Sequence, residues 1–189
     1  MVANVAQVAD RLSRDDYFGA AMAILAEEGV AGLTTTRLCE RLDVTRGSLY
    51  HHFESGPAFH GALIDHWEHE VVPGLLAAID AVEPQARIDL LQHLALLADH
   101  DAEKAIRAWA HTNDEVAAAL ARVDAAREAA LAKAFVDVGI EPDVAATLSR
   151  IGFSLLVGAQ QLDDPIDLDR LQDVLAEYRT WIDHRRTTP

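Results

Sequence analysis

Apolar residues recur at spacings of three and four along most of the chain, which is the period of α-helices that bury one face. After Val72 and Pro73 the sequence is almost entirely of this kind. The helical segments predicted there are residues 75–82, 86–98, 102–110 and 115–138. The sequence contains no alternating strand pattern, no glycine-rich phosphate loop, no internal repeat and no low-complexity linker. It therefore predicts an all-α fold.

The first part of the chain carries clear helix boundaries. Ser13 followed by Asp16 has the spacing of a capping box, and Gly29 is expected to end the helix that begins there. Ser55 and Pro57 predict the start of a further helix that links this region to the rest of the chain. The apolar residues of this linking helix are Phe59, Leu63, Ile64 and Trp67.

Residues 34–53, with the sequence TTTRLCERLDVTRGSLYHHF, predict two short helices joined by a tight turn. Leu38 and Leu42 have helical spacing, and Leu49 and Phe53 have the same spacing in the second helix. Both pairs can face one small core, which a valine between the helices also fills. This arrangement is typical of a helix-turn-helix.

Local signals in the same segment support the two helices. Thr34 can cap the first helix and Thr45 the second, because each hydroxyl can accept a hydrogen bond from a free backbone amide. Asp43 stands at the turn, where the backbone is expected to be left-handed, and Asp tolerates that conformation better than most residues.

The remaining side chains of the segment are hydroxyls, guanidinium groups and imidazoles, which donate hydrogen bonds to phosphate oxygens and base edges. They are Thr35, Thr36, Arg37, Arg41, Thr45, Arg46, Ser48, Tyr50, His51 and His52, and the capping residue Thr34 is also a candidate for DNA binding. The sequence therefore predicts that the second helix enters the major groove of DNA.

The segment resembles the DNA-binding unit of TetR-family transcriptional regulators. The family pattern is a Thr-led helix, a turn ending in Val and a recognition helix that closes in Leu-Tyr-x-His-Phe, here residues 49–53. The resemblance implies phosphate contacts from Thr35, Ser48, Tyr50 and His52. It also implies base or backbone contacts from Thr36, Arg37, Arg46 and His51, and a close approach to DNA at Gly47. Two positions depart from the pattern, with Asp43 in place of Gly and Gly56 in place of Lys.

The last two predicted helices have apolar residues on more than one side. One series comprises Leu148, Gly152, Leu155, Ala159, Leu168, Leu171, Leu175, Tyr178 and Ile182, and a second comprises Val144, Ile151, Phe153, Val174 and Trp181. We expect the first series to form half of a four-helix interface in a homodimer, with Gly152 and Gly158 allowing close approach. Dimerisation of this kind is what the resemblance implies. The alternative is the ordinary core of a monomer.

Aromatic and apolar residues of the middle helices are candidates for an effector cavity. They are Leu63, Trp67, Leu94, Trp109, Phe135 and Phe153. Plain core packing would explain the same spacing, whereas the resemblance implies that the middle helices sense a small molecule. The histidines of this region are His60, His66, His69, His93, His100 and His111, and they lack the spacing of a metal site. We expect neither a metal nor a cofactor.

Net charge and composition limit the class of protein and the cellular compartment that we expect. The net charge of −15 has the wrong sign for a protein that coats nucleic acid without specificity. The single cysteine, Cys39, is expected to be a buried thiol in a reducing compartment. No signal peptide and no apolar run long enough to span a membrane occur, so we expect a cytoplasmic protein without membrane contact.

The sequence thus predicts a helix-turn-helix DNA-binding head in residues 1–54 and an all-helical effector-binding and dimerisation body in residues 55–189. The leading function is a repressor that a small-molecule effector releases from a palindromic operator in double-stranded DNA. The alternative is an adaptor of the same fold that acts through a protein partner with weak or no DNA binding. No set of nucleophile, base and orienting group supports an enzyme.

Overall fold

The structure of the chain, a computed structural model, describes residues 12–187 and the side chains of residues 12–184. The described residues form nine α-helices and one 3-10 turn, with no strand among them. The helices are α1 Arg14–Gly32, α2 Thr35–Leu42, α3 Arg46–His52, α4 Gly56–Asp80, α5 Arg87–Leu97, α6 His100–Ala110, α7 Asp114–Asp137, α8 Pro142–Leu162 and α9 Leu168–Thr187. The predicted all-α fold is confirmed. Residues 1–11 of the predicted head lie outside the described residues.

The helices of the head begin at the predicted caps. Ser13 and Asp16 form the capping box at the start of α1. The hydroxyl of Thr34 accepts from the amide of Arg37 at 3.1 Å, and that of Thr45 accepts from the amide of Ser48 at 3.3 Å. Each such cap stabilises a helix by about 1 kcal/mol, so the boundaries of these short helices are set locally.

Two predicted helix ends differ from the structure. Gly29 has a positive φ of 67° and interrupts α1 as expected, but the helix resumes for one short stretch and ends at Gly32. Residue 75, where a new helix was predicted to begin, lies inside the continuous helix α4, which runs through Pro73. Proline removes one backbone hydrogen bond and weakens a helix without always ending it, so its position alone does not fix a boundary.

The chain divides into two compact units. The first unit contains residues up to 69 together with residues 101–120, and the second contains residues 70–100 together with residue 121 onward. The first unit therefore holds the whole described head, part of α4, most of α6 and the start of α7. The predicted division into residues 1–54 and 55–189 concerns function and stays a prediction.

Aromatic packing holds the first unit together around the end of the recognition helix α3. The ring of Phe53 lies 5.8 Å from Tyr17, 5.6 Å from Phe18 and 4.9 Å from Phe59, measured between centroids. These residues come from α1, from the residue after α3 and from the start of α4. Burying rings from three segments in one place fixes the recognition helix against its supports.

Two apolar clusters form the core of the second unit. One contains Ile88, Ala134, Phe135, Ala145, Leu148 and Ile182, and the other contains Phe153, Leu156, Leu171 and Leu175. Helices α8 and α9 contribute to both clusters and thus pack lengthwise on each other. The hydroxyl of Tyr178 donates to the carbonyl of Leu148, and burial raises the pKa of Tyr178 to about 12, so this proton is retained.

Four residues of the predicted dimer interface lie in the chain's own core. Leu148, Leu171, Leu175 and Ile182 are buried inside the chain, so they are not available to a second chain in this conformation. These four residues face the chain's own core, because that is where α8 and α9 meet. Ile151 at 38% exposure, Val174 at 38% and Trp181 at 41%, which belong to the second series, lie at the surface together with Val144, Leu162 and Leu168.

Gly152 also serves this contact within the chain. A Cβ added to Gly152 would lie 2.9 Å from Cε1 of Tyr178 and 3.2 Å from Cδ2 of Leu131, whereas one added to Gly158 would meet nothing within 4 Å. We expect Gly152→Ala to lower the free energy of unfolding by about 1–3 kcal/mol through overpacking. Gly158→Ala, in the same helix, should raise it by up to about 1 kcal/mol through helix propensity. Denaturant unfolding of both variants checks this, and equal effects at the two positions would contradict the packing.

Candidate nucleic-acid interface

The turn between α2 and α3 has the geometry of a helix-turn-helix. Asp43 adopts a left-handed backbone with φ 52° and ψ 46°, as its position predicted. The amide of Val44 then donates to the carbonyl of Cys39 at 3.0 Å and closes the end of α2. Because Asp adopts this conformation at a lower energetic cost than most side chains, it can stand where the family has Gly.

The recognition helix is held from behind by α1. The hydroxyl of Tyr17, which is fully buried, lies 2.8 Å from the hydroxyl of Ser48. The ring of Tyr17 also lies 5.2 Å from the ring of His52. Arg14 donates to the carbonyl of His52 at 3.0 Å and covers the ring of Phe53 at 4.5 Å. Tyr17 and Arg14 were not predicted as site residues, because each contacts a residue that is 31 or more positions away in the sequence.

The predicted DNA-binding residues fall into two groups. Arg46, Gly47, Tyr50 and His51 of α3 are exposed, and Thr36 of α2 is exposed beside them. The guanidinium Nη2 of Arg46 donates to Oγ1 of Thr36 at 2.6 Å. This contact joins the N-terminal ends of α2 and α3 into one polar surface, which we call the DNA-facing surface because it carries residues predicted to contact DNA.

The residues of the second group are either half-buried or engaged in helix capping. Thr35, Ser48 and His52 are half-buried, and Thr34 and Thr45 use their hydroxyls as helix caps. A capping hydroxyl still lies at a helix N-terminus, where the free amides and the helix dipole favour a phosphate. The structure therefore places the predicted contact residues at the starts of α2 and α3 and along α3, where Ser48 and His52 lie on the side that faces Tyr17 of α1.

Two arginines of α2 are paired with acidic residues of α1. Arg41 donates to both carboxylate oxygens of Glu27 at 2.6 Å, and this contact lowers the pKa of Glu27. Arg37 donates to Glu28 at 2.7 Å, which raises the pKa of Arg37. Arg37 was predicted to contact DNA, but neither glutamate was singled out. Adjacent acids at a helix end are common, and only the crossing of α1 and α2 pairs them with arginine.

Cys39 is buried in α2 at 6% exposure, as expected for a structural thiol. Burial raises its pKa, so the reactive thiolate is disfavoured. The cysteine therefore supports the small core of the head.

The predicted effector residues are shared between the two units. Leu63, Trp67 and Trp109 are buried in the first unit, where the ring of Trp109 lies 5.2 Å from that of His60 in an edge-on contact. Burial lowers the pKa of His60 and favours its neutral form. In the second unit Phe135 and Phe153 belong to different core clusters, and Leu94 is half-buried.

A buried polar pair in the second unit was not predicted. Nε2 of Gln160 lies 3.2 Å from Nδ1 of His100, and the two side chains are 1% and 7% exposed. They come from α8 and from the start of α6. The signal for this pair in the sequence is a glutamine, Gln160, at a position that continues an apolar face of α8.

The described residues contain neither a metal-binding cluster nor a membrane-spanning helix. Among the described residues, no group of three or more His, Cys, Asp and Glu side chains is arranged to hold a metal ion. Within the same part of the chain, no helix is both long enough and apolar enough to cross a membrane.

Comparison with known proteins agrees with this geometry. Residues 18–55 match the profile of bacterial regulatory proteins of the tetR family. The sequence has no match among curated proteins.

Solved structures share the fold over almost the whole chain. A TetR transcription regulator from Haloarcula marismortui has a TM-score of 0.71 and 19% identity, covering 87% of this chain and 95% of that one. The reduced form of NemR from E. coli has a TM-score of 0.73 and 17% identity, covering 88% and 96%. The multidrug binding protein EbrR complexed with imidazole has a TM-score of 0.58 and 22% identity, covering 87% and 93%. Residues 18–55 therefore match the tetR-family profile, and the chain shares the fold of these solved structures of transcription regulators.

Proposed function

We propose that the protein is a repressor that binds a palindromic operator in double-stranded DNA as a homodimer and leaves it when a small molecule binds. The DNA-facing surface carries this proposal. Arg46, Tyr50 and His51 project from a recognition helix that is fixed from behind by Tyr17 and Phe53. A rigid helix with exposed donors is what readout of base edges in the major groove requires.

The surface of α8 and α9 supports the homodimer. Ile151, Val174 and Trp181 are exposed there, and large apolar side chains are rarely left exposed in groups without a partner. The partner we propose is a second copy of the chain packed on this side of α8 and α9. Leu155 and Ala159 are half-buried and Leu168 is exposed, so these members of the predicted series remain available to the interface.

The interior of the second unit supports the small-molecule effector. His100 and Gln160 place hydrogen-bonding groups in the interior of the second unit, and one structure of the same fold is of a multidrug binding protein complexed with imidazole. We propose that the effector acts through α4, which contributes residues to both units. Its binding would favour a conformation whose two heads no longer match the operator. Such a regulator acts in the cytoplasm, where its DNA is.

Selection of bound fragments from the source genome, followed by footprinting, tests this function. We expect protection of two half-sites related by a two-fold axis, with centres one helical turn or a multiple of one turn apart. Protection of a single unrepeated site would contradict the dimer. If no fragment is retained at low salt, the repressor is excluded, and the adaptor that acts through a protein partner takes its place.

A further inference from the structure

The ion pair between α1 and α2 lies at the edge of the DNA-facing surface. Nε and Nη2 of Arg37 both lie 2.7 Å from Oε1 of Glu28, and the two side chains are 41% and 33% exposed. Arg37 directly follows Thr36, the residue whose hydroxyl accepts from Arg46 of the recognition helix. An acidic side chain is therefore paired with Arg37, the residue next to the one that joins the two predicted DNA-binding helices.

Gly32 makes room for the glutamate. A Cβ added to Gly32 would lie 2.4 Å from Cβ and 2.9 Å from Oε2 of Glu28. Any side chain at position 32 would have to displace Glu28 from its present place. The end of α1 is thus shaped so that this carboxylate can lie against Arg37.

Few positive charges are available in the head. Residues 1–60 contain five arginines and no lysine, and four of these arginines lie among the described residues. Arg14 is directed to the carbonyl of His52 and the ring of Phe53, and Arg41 is paired with Glu27. Arg37 is paired with Glu28, whereas Arg46 donates to a neutral hydroxyl on the DNA-facing surface. Whether Arg37 is paired with Glu28 therefore has a large effect on the electrostatic attraction between this head and phosphate.

We propose that Glu28 competes with DNA phosphate for Arg37 and so limits sequence-independent affinity. The inference rests on the proposed DNA binding. When Arg37 turns to a phosphate, the carboxylate of Glu28 is released and takes up a cation from solution. The net release of counterions is then smaller by about one for each head, and the salt dependence of binding is shallower. A larger share of the total affinity is left to base contacts, which favours the correct site over random DNA.

Glu28→Gln tests the proposal, with Glu27→Gln as the matched control. Both changes remove one negative charge from adjacent positions of α1, and both loosen an arginine of α2. Arg41, the partner of Glu27, lies in the last turn of α2. The contact of α2 with Arg46 is made by Thr36, at the other end of the helix. Binding of a random-sequence duplex is measured by fluorescence anisotropy from about 50 to 200 mM salt.

We expect Glu28→Gln to tighten binding by roughly two- to fivefold for each head, the range set by a weak exposed ion pair. The slope of log affinity against log salt should steepen by about one unit for each head. Glu27→Gln should give only the smaller gain that loss of a distant negative charge brings. Equal gains and equal slopes for the two variants would overturn the proposal.

An Arg37→Gln background provides a second check that does not depend on the size of the gain. In that background Glu28→Gln should tighten binding of the random duplex no more than Glu27→Gln does, because the arginine that pairs with Glu28 has been removed. A full gain without Arg37 would overturn the competition. If the wild type binds the random duplex but Glu28→Gln equals the control, only this inference fails. If neither wild type nor variants bind any duplex at low salt, the proposed function fails with it.

Discussion

Arg46→Ala is expected to weaken operator binding by about 1–3 kcal/mol for each head, while the thermal stability of the protein stays almost unchanged. Arg46 is exposed at the start of the recognition helix, and its hydrogen bond to Thr36 lies at the surface. Exposed hydrogen bonds contribute little to folding, because water replaces them. A base contact made by the same guanidinium has no such replacement once the groove is closed.

Arg41→Ala is the matched control for this loss. It removes the same charge from the same part of the chain, but Arg41 lies in the last turn of α2 and is paired with Glu27. Its effect on operator binding should therefore be small. Affinity for operator and random duplex, measured together with thermal unfolding, separates the outcomes. A loss of stability that matches the loss of binding would show that Arg46 is structural.

Trp181→Glu is expected to give a folded monomer, whereas Leu171→Glu is expected to unfold the second unit. Trp181 is 41% exposed on α9, so a charge there is solvated in the isolated chain and buried only in the proposed dimer. Loss of a tryptophan at such an interface weakens association by about 2 kcal/mol or more. Leu171 is 1% exposed in the cluster with Phe153 and Leu175, where an unpaired carboxylate costs several kcal/mol.

Light scattering and circular dichroism of the two variants decide this point. The expected pair of results is a helical monomer for Trp181→Glu and lost helicity for Leu171→Glu. Val174→Glu, also on the exposed side of α9, should resemble Trp181→Glu. A wild-type protein that is monomeric at micromolar concentration would remove the dimer from the proposed function.

Local chemistry made the helix-turn-helix predictable from sequence. Thr34 and Thr45 bond to amides three residues away, and the left-handed Asp43 depends on its own backbone. Such short-range interactions are determined by neighbouring residues of the sequence. The long helix predicted over residues 115–138 was found at Asp114–Asp137 for the same reason, since it ends at Gly139 with a φ of 90°.

Interactions between distant residues were not predictable in this way. Tyr17 meets Ser48 across 31 residues, and His100 meets Gln160 across 60. The pairing of Glu28 with Arg37 spans only nine residues, yet it depends on the angle at which α2 leaves α1. Many acidic residues of this chain could have met an arginine, and charge alone does not select among them.

The sequence by itself determined that α9 has apolar residues on two sides, but only the tertiary structure decided which side faces inward. Leu171 and Leu175 have a regular spacing that suits a second chain as well as a neighbouring helix. In the structure they pack against Phe153 and Leu156 of α8, and Trp181 is left at the surface. The physical reason is that helical period gives the direction of a side chain relative to its own axis, whereas burial depends on where the other helices lie.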